Sequence, residues 1–204
     1  MPRKRIVLIP SYEPQISLVN LVKDIKNFGF DVVVVDDGSG AKYGNIFLAL
    51  LKYAYVISYS DNMGKGYAQK EGLRYIQSHY QCDYTVVTMD SDGQHSLNDA
   101  VNVCAEAEIN KGTLVLGSRK QSKNSPLRSR FGNCMTRNIY RVISGLNVYD
   151  TQTGLRAFDK SLLSFLLNVQ GERFEYEMNV LLKAARNKVP IKEITIKTIY
   201  IDGN

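Results

Sequence analysis

The stretch Tyr84-Thr85-Val86-Val87-Thr88-Met89-Asp90-Ser91-Asp92-Gly93-Gln94-His95 decides how the chain is read. Its first half is a short β-branched run without charge, the pattern of a buried strand. Its second half brings in Asp90 and Asp92, separated by one residue, and then a glycine at which the chain turns. In an open α/β sheet, ligands sit just outside the carboxyl ends of the strands. Two carboxylates at that place suit a hard divalent cation, Mg2+ or Mn2+. Such an ion takes oxygen ligands, keeps several waters, and is usually held by one or two carboxylates plus substrate phosphates. A metal-bridged diphosphate at Asp90 and Asp92 is therefore the expectation. Asp-Ser-Asp-Gly also suits a plain polar turn, so the rest of the chain has to discriminate.

On either side of this stretch, strand and helix patterns alternate. Strands are expected over residues 5–9, 32–35, 54–58 and 113–116, and helices over 16–28, 44–52, 66–79 and 97–110. This rhythm calls for one α/β domain, a mostly parallel sheet with helices on both faces. Beyond Gly117 the pattern changes. Residues 120–129 are polar and basic and read as a mobile loop, 133–143 as a helix, 174–187 as another helix, and 189–201 as a last strand.

The 204 residues suffice for one domain with a full core. No apolar run approaches the roughly 20 residues of a membrane helix. The basic start, Met-Pro-Arg-Lys-Arg, leads into a strand rather than the apolar region of a signal peptide, so a cytosolic chain is expected. Cys82, Cys104 and Cys134 are scattered and odd in number, which fits neither a disulfide framework nor a zinc site. Net charge is +6 and the isoelectric point about 9.1. That balance suits an anionic membrane or phosphorylated substrates, or simply a solvated surface. No arginine–aromatic recognition motif supports nucleic acid as a partner.

Polar clusters recur where strands end. Pro10-Ser11-Tyr12-Glu13-Pro14 places Tyr12 to stack on a base and Glu13 to hold a ribose; a proline-bounded loop is the plainer reading. Asp36-Asp37-Gly38-Ser39 offers a carboxylate for ribose hydroxyls or a base N–H, or else an Asp-Gly turn. Asn62-Met63-Gly64-Lys65-Gly66 opens a helix, where backbone N–H groups favour an anion and Lys65 can reach a phosphate. Arg119 and Arg128 flank the basic loop and suit phosphate clamps. Asp150-Thr151-Gln152-Thr153-Gly154-Leu155-Arg156 is dense in hydrogen-bonding groups and poor in core formers, as a site-lining loop would be. His95 is either a third metal neighbour or a surface histidine.

The motifs Asp90-Ser91-Asp92-Gly93-Gln94-His95 and Asp150-Thr151-Gln152-Thr153-Gly154-Leu155-Arg156, with Asp36-Asp37-Gly38-Ser39, residues 62–68, Gly117-Ser118-Arg119 and residues 174–178, run in one order through almost the whole chain. In that order they resemble the GT-A-fold glycosyltransferases of the polyprenyl-phosphate type, the dolichyl-phosphate mannosyltransferases and undecaprenyl-phosphate glucosyltransferases. The resemblance implies an inverting enzyme that moves a hexose from a UDP- or GDP-sugar to a polyprenyl phosphate at the inner, cytoplasmic face of a membrane. It implies Asp90 and Asp92 as metal and diphosphate ligands, helped by Gln94, and Pro10, Tyr12 and Asp37 as nucleotide contacts. It implies Arg119 and Arg128 on the donor and acceptor phosphates, and Asp150, Gln152 and Glu177 near the acceptor. Glu13 carries the ribose role although Pro14 stands where that family has its glutamate. Ser96 replaces a usual proline and Gly132 a usual serine. The family continues into a further segment and then amphipathic or transmembrane helices, which implies a catalytic domain over 1–204 that stops before a membrane-associated tail.

Three rivals differ in what they require. A saccharide-hydroxyl acceptor, as in cell-wall or polysaccharide synthesis, would require Asp150 as general base. A sugar-phosphate nucleotidyltransferase would require a glycine- and arginine-rich loop after the first strand, which residues 10–14 lack. A receiver-type signalling domain would place its acidic pair after the first strand, not the second, in a shorter chain.

Overall fold

The computed structural model of the chain describes residues 3–119, 150, 151 and 153–197. The valine run Val32, Val33, Val34 and Val35 is buried along its whole length, because helices cover the sheet above and below it. Among the described residues the strands are β1 (Lys4–Ser11), β2 (Asp31–Asp36), β3 (Tyr55–Ser58), β4 (Tyr84–Thr88), β5 (Leu114–Arg119), β6 (Arg156–Asp159) and β7 (Ile191–Ile196). The helices are α1 (Ser17–Asn27), α2 (Gly44–Leu50), α3 (Lys65–His79), α4 (Leu97–Ile109), α5 (Leu163–Leu167) and α6 (Glu175–Arg186).

The strands form one sheet in the order β3-β2-β1-β4-β6-β5-β7. All run parallel except β6, which lies antiparallel between β4 and β5. Alternate side chains feed two cores. Val32 and Val34 share one core with Leu18 and Val22 of α1, Phe47 of α2 and Val103 of α4; Val33 and Val35 share the other with Leu73 of α3, Leu166 of α5 and Val180 of α6. Each such side chain contributes about 1.5–3 kcal/mol by leaving water. Cys104 belongs to the first of these cores as an ordinary small apolar residue.

The expected elements from residue 5 to 116 all form, with ends shifted by a few residues. The last strand spans Ile191–Ile196 within the expected 189–201. β6 and α5 were not expected, and β6 matters most for the site. It inverts the chain, so the residues before it, not after it, stand at the carboxyl ends of β4 and β5. Thr88 of β4 donates its hydroxyl to the Gly154 carbonyl (3.0 Å), and Gly117 of β5 donates its N–H to Leu155 (2.9 Å). The expected basic loop over 120–129, the expected helix over 133–143, and Arg128, Cys134 and Gln152 lie outside the described residues. Among the described residues no helix is long and apolar enough to cross a membrane.

Candidate active site

β4 is the middle strand, and its carboxyl end delivers Asp90 and Asp92. The turn that follows is closed by Asp92, whose Oδ1 accepts the Gln94 N–H (2.9 Å). Ser96 then caps α4: its hydroxyl accepts the Asp99 N–H (3.1 Å) and donates to the Asp99 carboxylate (2.6 Å). The serine thus supplies the cap that a helix start favours and fixes the segment behind the aspartates.

Asp90 is tightly engaged. Lys65 Nζ stands 2.7 Å from its Oδ1, and His95 Nε2 stands 3.4 Å from its Oδ2. Lys65 also lies 2.9 Å from Glu177 Oε1, which accepts from Gln69 Nε2 at 3.1 Å. Burial alone would raise the Asp90 pKa; the His95 hydrogen bond and the Lys65 charge overcome this and hold it well below the usual carboxylate range. Burial likewise works against the Lys65 charge, but the attraction of Asp90 and Glu177 leaves its pKa raised. Gly154 packs on the same carboxylate. A Cβ added there would lie 2.2 Å from Asp90 Oδ2, so the two polar motifs of the sequence meet at this contact. His95 is buried, and its Nδ1 has no hydrogen-bond partner among the described residues.

Asp90 and Asp92 open onto a pocket of about 510 Å3, within the roughly 300–1,000 Å3 of ligand sites. Pro10, Ser11 and Tyr12 form one wall, Asp37, Asn62, Gly64 and Lys65 a second, and Arg173 and Phe174 a third. Tyr12 is half exposed and Phe174 largely so. Asp37 is buried. Its carboxylate accepts the Tyr59 hydroxyl (2.8 Å), Asn62 Nδ2 (3.1 Å) and the N–H groups of Met63 (2.9 Å) and Gly64 (2.9 Å). It therefore fixes the loop that leads into α3.

The glycines of that loop serve packing as well. Gly64 sits at φ +104, which disfavours a side chain, and a Cβ would lie 2.5 Å from the Glu172 carbonyl oxygen. At Gly66 a Cβ would lie 2.5 Å from Tyr176 Cβ. The Tyr67 N–H at the start of α3 donates to that same Glu172 carbonyl (2.8 Å). The N–H groups of Met63 and Gly64 thus serve Asp37, and that of Tyr67 serves the backbone before α6.

A second polar group adjoins the first. Arg119, at the end of β5, donates from Nη1 to Gln94 Oε1 (3.3 Å) and from its backbone N–H to Asp150 Oδ2 (3.4 Å). The Asp150 N–H donates to Glu193 (3.2 Å). Arg156 is buried beneath this loop. Its guanidinium donates to the carbonyls of Thr153 (3.0 Å), Thr151 (3.4 Å) and Glu177 (2.9 Å), tying Thr151 and Thr153 to α6.

Of the expected site residues, Pro10, Tyr12, Asp37, Lys65, Asp90 and Asp92 share the pocket wall. Gln94, Arg119 and Asp150 form the adjoining group, and Glu177 lies behind Lys65. Glu13 is exposed, with φ +47, and is not part of the wall; its N–H donates to Ser39 (2.9 Å). Sequence reasoning missed Arg173 and Phe174 as pocket residues. The Gly171-Glu172-Arg173 entry into α6 and the motif that begins at Phe174 do not reveal that this segment packs on Gly64.

The fold is that of GT-A glycosyltransferases. The chain is similar to a glucosyl-3-phosphoglycerate synthase from Mycobacterium tuberculosis, crystallised with Mn2+, UDP-glucose and phosphoglyceric acid. The TM-score is 0.73 over 98% of this chain and 74% of that one, at 18% identity. The family model described as "Glycosyl transferase family 2" matches residues 6–167, and the chain belongs to that family. Among curated proteins it is similar to a UDP-N-acetylglucosamine–dolichyl-phosphate N-acetylglucosaminyltransferase of Methanococcus voltae, at 32% identity over 96% of this chain and 86% of the relative. It is also similar to the dolichyl-phosphate β-glucosyltransferase of Saccharomyces cerevisiae, at 24% identity over 97% of this chain and 67% of the relative.

Proposed function

We propose that this glycosyltransferase moves a hexose from a UDP- or GDP-sugar to a polyprenyl phosphate, with residues 1–204 as the catalytic domain. The observation that carries the reading is the opening of Asp90 and Asp92 onto one pocket with Pro10, Tyr12 and Lys65. The dolichyl-phosphate specificity named for relatives in Methanococcus voltae and Saccharomyces cerevisiae supports the lipid acceptor.

Asp90 and Asp92 supply hard oxygen donors at the pocket. Such a pair fits Mg2+ or Mn2+ completed by water and diphosphate oxygens. When bound, that ion neutralises charge on the departing diphosphate. Tyr12 stacks on the base and Pro10 borders it. Asp37 holds the 62–64 loop in place beneath the nucleotide. Lys65 and Arg119 add positive charge where the diphosphate leaves, which is often the largest catalytic contribution. Gln94 orients Arg119. The acceptor phosphate is already an anion, so no proton has to be removed; Arg128 and Gln152 bind it, and Asp150 serves the acceptor side by fixing the Arg119 backbone. A net charge of +6 favours the inner, cytoplasmic face of an anionic membrane, by about 1 kcal/mol per basic residue near the surface.

The test is calorimetric binding of UDP- and GDP-sugars with Mn2+ and with EDTA, followed by transfer assays. Donor binding that needs metal, and transfer to dolichyl or undecaprenyl phosphate, are expected. Efficient transfer to a free oligosaccharide with none to lipid phosphate would refute the acceptor assignment.

A further inference from the structure

We propose that Lys65 is a resident cation on Asp90 that a divalent metal must displace, so that metal binds well only together with a nucleoside diphosphate. This rests on the metal reading of Asp90 and Asp92 above.

Both oxygens of Asp90 have partners, Lys65 at 2.7 Å and His95 at 3.4 Å. A metal on Asp90 therefore has to share or replace one of them. Asp92 differs: it is exposed, and its recorded bond is one N–H from Gln94. The access to Asp90 is thus set by Lys65. Its side chain is only 18% exposed and is held from the other side by Glu177 at 2.9 Å.

The anchor of Lys65 cannot retreat. The preceding Gly64 is bonded to Asp37, and the following Gly66 packs on Tyr176 and on the Arg173 carbonyl. Only the flexible four-carbon stem can move. That stem lines the pocket, so a diphosphate entering there offers the ammonium a new anion while Glu177 still holds it. Diphosphate thereby releases Asp90 to the metal, and the metal in turn ties the diphosphate to Asp92. Without diphosphate, displacement leaves the ammonium with Glu177 alone. An adjacent cation lowers a carboxylate's affinity for a proton by roughly one to three decades. A metal at the same oxygens meets the same repulsion.

The test titrates Mn2+ into the protein and reads free Mn2+ by electron paramagnetic resonance, with and without UDP. Lys65→Met should bind Mn2+ alone at least about tenfold more tightly than the wild type, and the enhancement by UDP should shrink by a similar factor. Lys65→Arg keeps the charge and should keep metal-alone binding weak. Glu177→Gln leaves Lys65 to Asp90 and should bind Mn2+ alone no more tightly than the wild type; this arm decides if Lys65→Met does not fold, as judged by circular dichroism. Unchanged or weaker Mn2+ binding by folded Lys65→Met, with UDP still enhancing it, would overturn the role of Lys65 and leave the metal site standing. So would tighter metal-alone binding by Lys65→Arg or Glu177→Gln. Absence of Mn2+ binding in every version, with or without UDP, would overturn the metal reading and this inference with it.

Discussion

Replacing Gly154 with alanine tests the contact on which the site turns. The new Cβ would lie 2.2 Å from Asp90 Oδ2 and 2.4 Å from its Cγ and Oδ1, where ordinary contact begins at 3.4 Å. The carboxylate or the loop must retreat by about 1 Å, in a close-packed interior that resists it. Asp90 cannot swing freely, because Lys65 and His95 hold its two oxygens. The loop cannot lift freely either, because Arg156 and Thr88 hold its carbonyls. Overpacking of this kind costs about 1–3 kcal/mol, which for a domain this size lowers Tm by roughly 2–4 °C per kcal/mol. Function should suffer far more, since a displacement of about 1 Å at a reacting centre can cost 100-fold. The expected result is a folded Gly154→Ala protein that loses about 100-fold in donor kcat/KM and binds UDP weakly in the presence of Mn2+. Gly44→Ala is the control, because nothing lies within 4 Å of its Cβ and its φ of −53° suits alanine. Calorimetry and thermal melts on both variants check this. A folded Gly154→Ala protein with wild-type UDP affinity and turnover would refute the reasoning.

Other changes separate binding from folding. Asp92→Ala removes an exposed carboxylate bonded to Gln94 N–H; Mn2+-dependent UDP binding should vanish by calorimetry while stability moves by less than about 0.5 kcal/mol. Arg156→Met leaves three carbonyls without their donor and should cost about 3 kcal/mol or more. Hydrogen exchange should rise in the described residues of the 150–155 segment. Asp90 is held below its unfolded value near 3.9, so its stabilisation is complete above that pH and is lost as pH falls through the folded value. Urea unfolding between pH 7 and 3 should therefore fall more steeply for the wild type than for Asp90→Asn, and equal slopes would count against the pairing.

The sequence by itself determined the alternation of strands and helices as far as β5. It also determined that Asp37, Asp90 and Arg119 stand at the ligand-facing ends of strands. Those features are local: a buried parallel strand needs an unbroken apolar run such as Val32, Val33, Val34 and Val35, and a carboxylate at its end is read directly. Tertiary structure alone decided how the clusters meet. Arg156-Ala157-Phe158-Asp159 is too short and too charged at its ends to announce a strand; it becomes β6 because β4 and β5 supply hydrogen bonds on both sides. That inversion sets Gly154 against Asp90 across 64 positions of chain. The Lys65–Asp90–Glu177 group and the Arg173–Phe174 wall arise the same way. Each joins residues from separate elements, and no periodicity within one element encodes the distance to another. Asp37 illustrates the limit most directly. As a strand-end carboxylate it reads as a ligand contact, and it does line the pocket; that it also holds a loop, through four donors of the folded 59–64 segment, shows only in the tertiary structure.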